Sequence, residues 1–127
     1  MDQISNLLIS LKNASAVGKP SVLVPNSNLK FEIADLLVKK GFLASAAKKG
    51  KKARSLEISL IYKDGSPRVT GVKRVSKLSR RIYQGFKEIY PFKQGLGMKV
   101  FSTSKGIMSD MDAKKEKLGG EVLFAIW

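Results

Sequence analysis

The sequence predicts an α+β chain of two modules. An N-terminal α-β-α-β-β module over residues 1–65 packs against a smaller, mostly β module over residues 66–127 that carries one short helix. Three observations predict it. The first 40 residues hold two stretches with apolar side chains at helical spacing, divided by a short β-branched run. The stretch LEISLIY alternates apolar and polar residues with a period of two. Beyond residue 65, apolar residues fall in short runs broken by Gly, Ser and Pro, with a single helical pattern near the end. At 127 residues the chain suffices for one domain or two small ones sharing a core.

Ile4, Leu7, Leu8 and Leu11 follow the i, i+3, i+4, i+7 rule, and Gly18-Lys19-Pro20 stops this first helix. SVLVP (21–25) is β-branched and bounded by prolines, hence a strand. Asn26 or Ser27 then caps a second helix, whose buried stripe is Leu29, Ile33, Leu36 and Leu37 and whose end is Lys39-Lys40-Gly41. FLASA (42–46) is a strand running into AKKGKKAR, a cationic loop around Gly50. LEISLIY (56–62) follows, with Leu56, Ile58, Leu60 and Tyr62 on one face. Asp64-Gly65-Ser66-Pro67 is the turn or linker between the modules, and with no long flexible segment there the two halves are expected to pack together. In the second module RVTGVKRV and RRIY read as short strands. KEIYPF reads as a helical turn cut by Pro91, LGMKVF as a strand, SDMDAKKEK as a helix, and EVLFAIW as the terminal strand.

Charge is the strongest functional signal. Twenty-four Lys and Arg stand against ten Asp and Glu, a net +14. Fourteen of the cations, against three carboxylates, lie between residues 48 and 93. So dense an excess is self-repelling in the free protein and is relieved by a polyanion, which points to nucleic acid.

Other classes are disfavoured. No apolar run reaches the length of a bilayer span, and ISNLLISLKNAS lacks the cationic leader of a signal peptide. Without cysteine there are no disulfides or thiolate metal sites, which suits a reducing cytosol. Without histidine the commonest general base and metal ligand is missing, so neither cofactor nor metal is expected. Asp110 and Asp112 open a helix that closes on Lys114, Lys115 and Lys117, the distribution a helix dipole favours over a Mg2+ site. STSKG has the letters of a phosphate loop in the wrong order, and Lys105 is the only base near its serines. The rival reading is a Mg2+-dependent RNA-processing enzyme using Asp110, Asp112 and Glu116. A weaker one is a general basic chaperone or DNA-compacting protein.

Ser102, Thr103 and Ser104, followed by Lys105 and Gly106, form a strand-end loop suited to duplex RNA. Its shallow minor groove presents 2′-hydroxyls flanked by phosphates. Short hydroxyls donate and accept there, glycine lets the main chain approach, and lysine supplies charge. Equally, hydroxyls near a turn satisfy local backbone groups. In VKRVSKLSRRIY, alternation sets Lys73 and Val75 on one face and Arg74 and Ser76 on the other. Arg74, Lys77, Arg80 and Arg81 are placed for phosphate contacts, which position a protein without specifying sequence. Tyr83 offers either a stacking ring or a core aromatic with a wet hydroxyl.

These residues resemble a known family. RVS-x3-R-x-IY at Arg74 to Tyr83, GLG at Gly95 to Gly97, STSKG-I-M-S-D at Ser102 to Asp110 and LGGE at Leu118 to Glu121 are similar to the bacterial-type eighth protein of the small ribosomal subunit. So are the helix ending in Lys12-Asn13-Ala14, VLVPNSNLK and LVKKGFL. The likeness runs along essentially the whole chain. It implies a non-enzymatic ribosomal protein that binds the central domain of small-subunit ribosomal RNA. Such a protein joins early in assembly and recognises a helix interrupted by an irregular loop. It implies RNA contact by Ser102, Thr103, Ser104, Lys105 and Gly106, with Gly120 and Glu121 of the LGGE turn beside them. It brings Lys12, Asn13, Ser27 and Lys30 to a neighbouring RNA segment.

Neighbouring ribosomal proteins, a monomeric free state, no membrane partner and a place in the ribosome of the bacterial cytoplasm or an organelle follow from the same likeness. Repression of its own messenger, through a mimic of the ribosomal site, is a second role it opens. Two departures stand out. Leu78-Ser79 occupies the place where the family commonly has Pro-Gly, removing a fixed φ and a flexible residue from the 77–81 loop. Lys12 stands where an arginine is usual, so bidentate phosphate contact is lost.

Overall fold

The computed structural model describes residues 3–77, 79–90 and 97–127. Two compact units divide the chain, residues 1–70 and 71–127. Of the features expected from sequence, Leu78, the Pro91 break, and Gly95-Leu96 of the GLG motif and LGMKVF lie outside the described residues.

In the first unit, helix α1 (Gln3–Val17) buries Ile4, Leu7, Leu8, Leu11 and Ala14 along one stripe. Strand β1 (Ser21–Pro25) follows, then helix α2 (Asn28–Lys39), which buries Ile33, Ala34, Leu36 and Leu37. Strands β2 (Leu43–Lys49) and β3 (Ser55–Leu60) complete an antiparallel sheet of order β1-β3-β2. Central β3 alternates as its sequence requires: Leu56, Ile58 and Leu60 are buried, and Ser55, Glu57 and Ser59 half-exposed. Helix α1 packs on β1 and α2 on β2.

Two expectations are corrected here. Strand β2 runs on to Lys49, absorbing cations assigned to a loop, because every residue from Ser45 to Lys49 pairs with β3. Tyr62 does not continue the β3 face. It begins a small hairpin, β4 (Tyr62–Lys63) with β5 (Ser66–Pro67), turned by Asp64-Gly65. Its hydroxyl lies 2.6 Å from the Lys19 carbonyl oxygen and 3.2 Å from that of Ala14, giving its one proton to the carbonyl-rich end of α1.

The second unit is built on one antiparallel sheet. Strands β6 (Val72–Arg74), β7 (Tyr83–Gln84), β8 (Met98–Thr103), β9 (Gly106–Ser109) and β10 (Gly120–Ile126) form it, in the order β6-β10-β8-β9, with β7 also paired to β10. Helix α3 (Asp110–Lys115) packs on β8 and β9. Ile89, Phe101, Ala113 and Val122 form a core, flanked by Val75, Ile82, Phe86 and Met108. The mixed α+β architecture with its antiparallel sheets matches the predicted class.

Local detail departs from the sequence reading at three places. The strand expected across RVTGVKRV is only Val72–Arg74, and RRIY gives way to Tyr83–Gln84. Buried Ser76 separates them: its hydroxyl accepts from the Ile82 N–H at 2.7 Å and donates to the Ile82 carbonyl at 3.2 Å. The expected KEIYPF turn is a single 3-10 turn, Phe86–Glu88. The largest correction concerns FSTSKGIMSD. Strand β8 continues through Ser102 and Thr103, and β9 returns from Gly106, so the expected strand-end loop is a hairpin with Ser104-Lys105 at its tip.

Candidate nucleic-acid interface

The tip of this hairpin is made by its own residues. Thr103 Oγ1 accepts from the Lys105 N–H at 3.2 Å and donates to the Gly106 carbonyl at 2.8 Å. Gly106 holds φ = 108°, a conformation costly for any side chain. Thr103 is thus committed to the turn. Ser104 and Lys105 are exposed, and Ser102 is half-exposed. Lys105 reaches Glu116 at 3.4 Å across an exposed, weakly coupled pair.

Strand pairing joins this hairpin to distant parts of the chain. Glu121 on β10 sits directly opposite Ser102 on one side and Tyr83 on the other, so three residues spread over 39 positions share one cross-strand row on one face. The contact requires bare glycines. A Cβ on Gly120 would run into the Ser102 carbonyl, and one on Gly119 would stand 2.7 Å from the Gln84 carbonyl oxygen. Glu121 is held by Arg81, Nη1 to Oε2 at 2.9 Å, with only 16% of its side chain exposed. Beside it Tyr83 is 67% exposed, so it is not the core aromatic that sequence left open as one alternative.

The cations gather elsewhere on the sheet. Lys73, Ala125 and Lys99 form another cross-strand row. Because Lys99 and Ser102 are three residues apart on one strand, this row faces the other way. It lines a hollow of about 530 Å3 with Arg74, Lys77 and Arg80. Lys77 and Arg80 close a turn by exchanging backbone hydrogen bonds of 2.9 and 3.0 Å. Arg74 Nη1 donates to the Leu123 carbonyl, where β10 bulges. Lys73 and Lys99 were not among the residues expected from sequence, since only pairing to a common alanine brings them together. Tyr90, 73% exposed, was also missed; Lys114 lies 5.8 Å from its ring and donates to the Ile89 carbonyl at 2.8 Å.

In the first unit, Lys12 and Asn13 are exposed on α1. Ser27 and Lys30 are occupied internally. Ser27 caps α2 by accepting from the Lys30 N–H at 3.2 Å and donates to Gln3 Oε1 at 3.0 Å. Lys30 is only 7% exposed, its ammonium on the Pro25 carbonyl at 3.2 Å.

The carboxylates of the rival enzyme reading do not converge. Ser109 caps α3, accepting from the Asp112 N–H at 3.2 Å. Asp110 is 3% exposed and accepts from the Met111 N–H at 2.8 Å; burial pushes its carboxyl above the usual range, against the backbone N–H groups and the Lys99 charge that pull it down. Glu116 points to Lys105. Among the described residues no group of three or more His, Cys, Asp or Glu is placed to hold a metal ion, and no helix is long and apolar enough to cross a membrane.

Comparison with known proteins gives the family. Residues 2–127 match the family described as Ribosomal protein S8. The small ribosomal subunit protein uS8 of Persephonella marina is 40% identical, the match covering 99% of this chain and 98% of the relative. That of Vibrio cholerae serotype O1 is 42% identical over 96% of this chain and 94% of the relative. That of Mycoplasmopsis agalactiae is 38% identical over 99% and 97%. The chain belongs to the ribosomal protein S8 family, and is with it a structural component of the small ribosomal subunit and not an enzyme.

Proposed function

We propose that the chain binds a helix with an irregular internal loop in the central domain of small-subunit ribosomal RNA, early in assembly of the particle. The observation that carries this reading is the row Tyr83–Glu121–Ser102. It sets the exposed Tyr83 and the half-exposed Ser102 on one face of the sheet, with the exposed Ser104-Lys105 tip at its end. Ser102 and Ser104 address 2′-hydroxyls and phosphates of a widened minor groove. Tyr83 stacks on a base the irregular loop leaves unpaired, a contact of about 1–3 kcal/mol. Arg74, Lys77, Arg80 and Arg81 supply sequence-independent attraction and positioning. Lys12 and Asn13 meet a neighbouring segment of the same RNA.

The free protein acts as a monomer, and neighbouring subunit proteins join it in the ribosome of a bacterial cytoplasm. A site that reads shape accepts any RNA of that shape, so a messenger folded like the ribosomal helix would be bound and repressed.

The test compares an internally looped helix with a fully paired one, at two salt concentrations. Ser102 and Ser104 are changed together to alanine, sparing Thr103, which holds the turn. Wild type should prefer the looped helix; the variant should lose that preference and keep its salt dependence. With about six phosphate contacts, affinity should fall roughly a thousandfold over a fourfold rise in salt. Equal binding of wild type to both helices would contradict the proposal.

A further inference from the structure

The row and the hollow leave one strongly charged feature unused, and it lies in the first unit. The hairpin joining β2 to β3 carries Lys48, Lys49, Lys51, Lys52 and Arg54, all exposed, and no carboxylate stands between residues 44 and 56. Neutralisation is slight. Lys49 lies 4.0 Å from Glu57, and the Lys48 ammonium sits 4.6 Å above the Phe31 ring. Among the described residues no ion pair engages Lys51, Lys52 or Arg54.

The tip is a fixed shape. Gly50 has φ = 82°, and Lys52 and Ala53 follow at 57° and 52°, two successive non-glycine residues in the left-handed region. L-residues disfavour that region and stay there only where the surroundings hold them. Asn26 holds them: its Nδ2 donates to the Ala53 carbonyl at 2.9 Å and its backbone N–H to the Arg54 carbonyl at 2.8 Å. The cations are therefore presented on a turn tied to the start of α2.

We propose that this 48–54 hairpin is a second binding element, gripping the phosphodiester backbone of an RNA helix apart from the segment read by the Ser102–Gly106 hairpin. The proposal rests on the RNA-binding reading above. Composition selects the occupant. From Ala44 to Arg54 the only apolar residues are alanines, too little to anchor in a lipid surface, and no aromatic ring is available to stack on a base. What remains is charge on a narrow support, suited to phosphates and indifferent to sequence.

The probes are the same looped and fully paired RNA helices, titrated across salt with the full chain. Changing Lys51, Lys52 and Arg54 together to alanine should lower the slope of log affinity against log salt by roughly 2 to 3, about 0.9 per lost phosphate contact. Both helices should weaken by the same factor, leaving the preference for the looped one intact. Lys19, Lys40 and Lys63, exposed cations elsewhere in the same unit, form the control triple. A change below one in slope is expected there. An unchanged slope in the hairpin variant, or equal changes in both triples, would overturn the proposal while leaving the Ser102 and Ser104 result standing. Wild type with no salt-dependent RNA binding would instead sink the reading on which it rests.

Discussion

Ser27 and Ser104 are the same side chain put to opposite uses. In the first unit, Ser27 stands at the start of a helix, where unpartnered N–H groups claim its oxygen, and Lys30 is drawn onto a carbonyl. In the second unit, the Thr103 hydroxyl serves the hairpin turn, while Ser102 is half-exposed and Ser104 exposed. The tyrosines divide in the same way: Tyr62 ends α1, while Tyr83 stands 67% exposed. What separates a structural polar residue from one available to a partner is whether the nearby backbone still lacks hydrogen-bond partners.

The largest effect that would break this contrast is Gly120→Ala. The added methyl collides with the Ser102 carbonyl and must part β10 from β8, costing about 3 kcal/mol in chemical denaturation as other overpacked sites do. Selectivity for looped RNA should go with it. Stability within 0.5 kcal/mol or so of wild type would mean the close approach is unimportant. Next is the tyrosine pair. Tyr83→Ala should weaken binding to the looped helix by roughly tenfold to a hundredfold, with the melting temperature unchanged. Tyr62→Phe should do the reverse, losing about 1 kcal/mol of stability and no RNA affinity.

Ser27→Ala should cost about 1 kcal/mol in denaturation without altering the preference between RNA helices. Ser104→Ala should spare stability and erode that preference. The smallest effect is pH-dependent. Burial raises the Asp110 carboxyl, so the folded state holds its proton more tightly than the unfolded chain. Stability is then greatest below the ordinary carboxylate range and declines as pH rises through the raised one. Asp110→Asn should lack that decline. The variant should gain on wild type as pH climbs from the ordinary carboxylate range to neutrality, measured by denaturation at several pH values.

Most elements were legible because their signals are local. The α1 stripe, the α2 cap and the alternation of β3 are written in consecutive residues, as is the apolar run of β10. The β9 strand was missed because Gly106 to Ser109 is too short to show a period, and the helix signal beginning at Ser109 masked it. Strands around Ser76 were overextended because nothing local shows its hydroxyl tying back to Ile82. The site was half legible. Hydroxyls and cations stood out by type, and family likeness paired STSKG with LGGE. The shared row of Tyr83, Glu121 and Ser102, and the meeting of Lys73 with Lys99 at Ala125, arise from pairing of residues up to 38 and 52 apart in sequence. No local pattern carries them.

The most direct test of the central claim follows backbone amide resonances while each RNA helix is added in turn. With the looped helix, amides at Tyr83, Glu121 and Ser102 through Gly106 should shift strongly; with the fully paired helix they should stay nearly still while the cationic segments respond. If both helices move the same cationic segments and leave that row untouched, its hydroxyls and ring are not the surface that reads RNA shape.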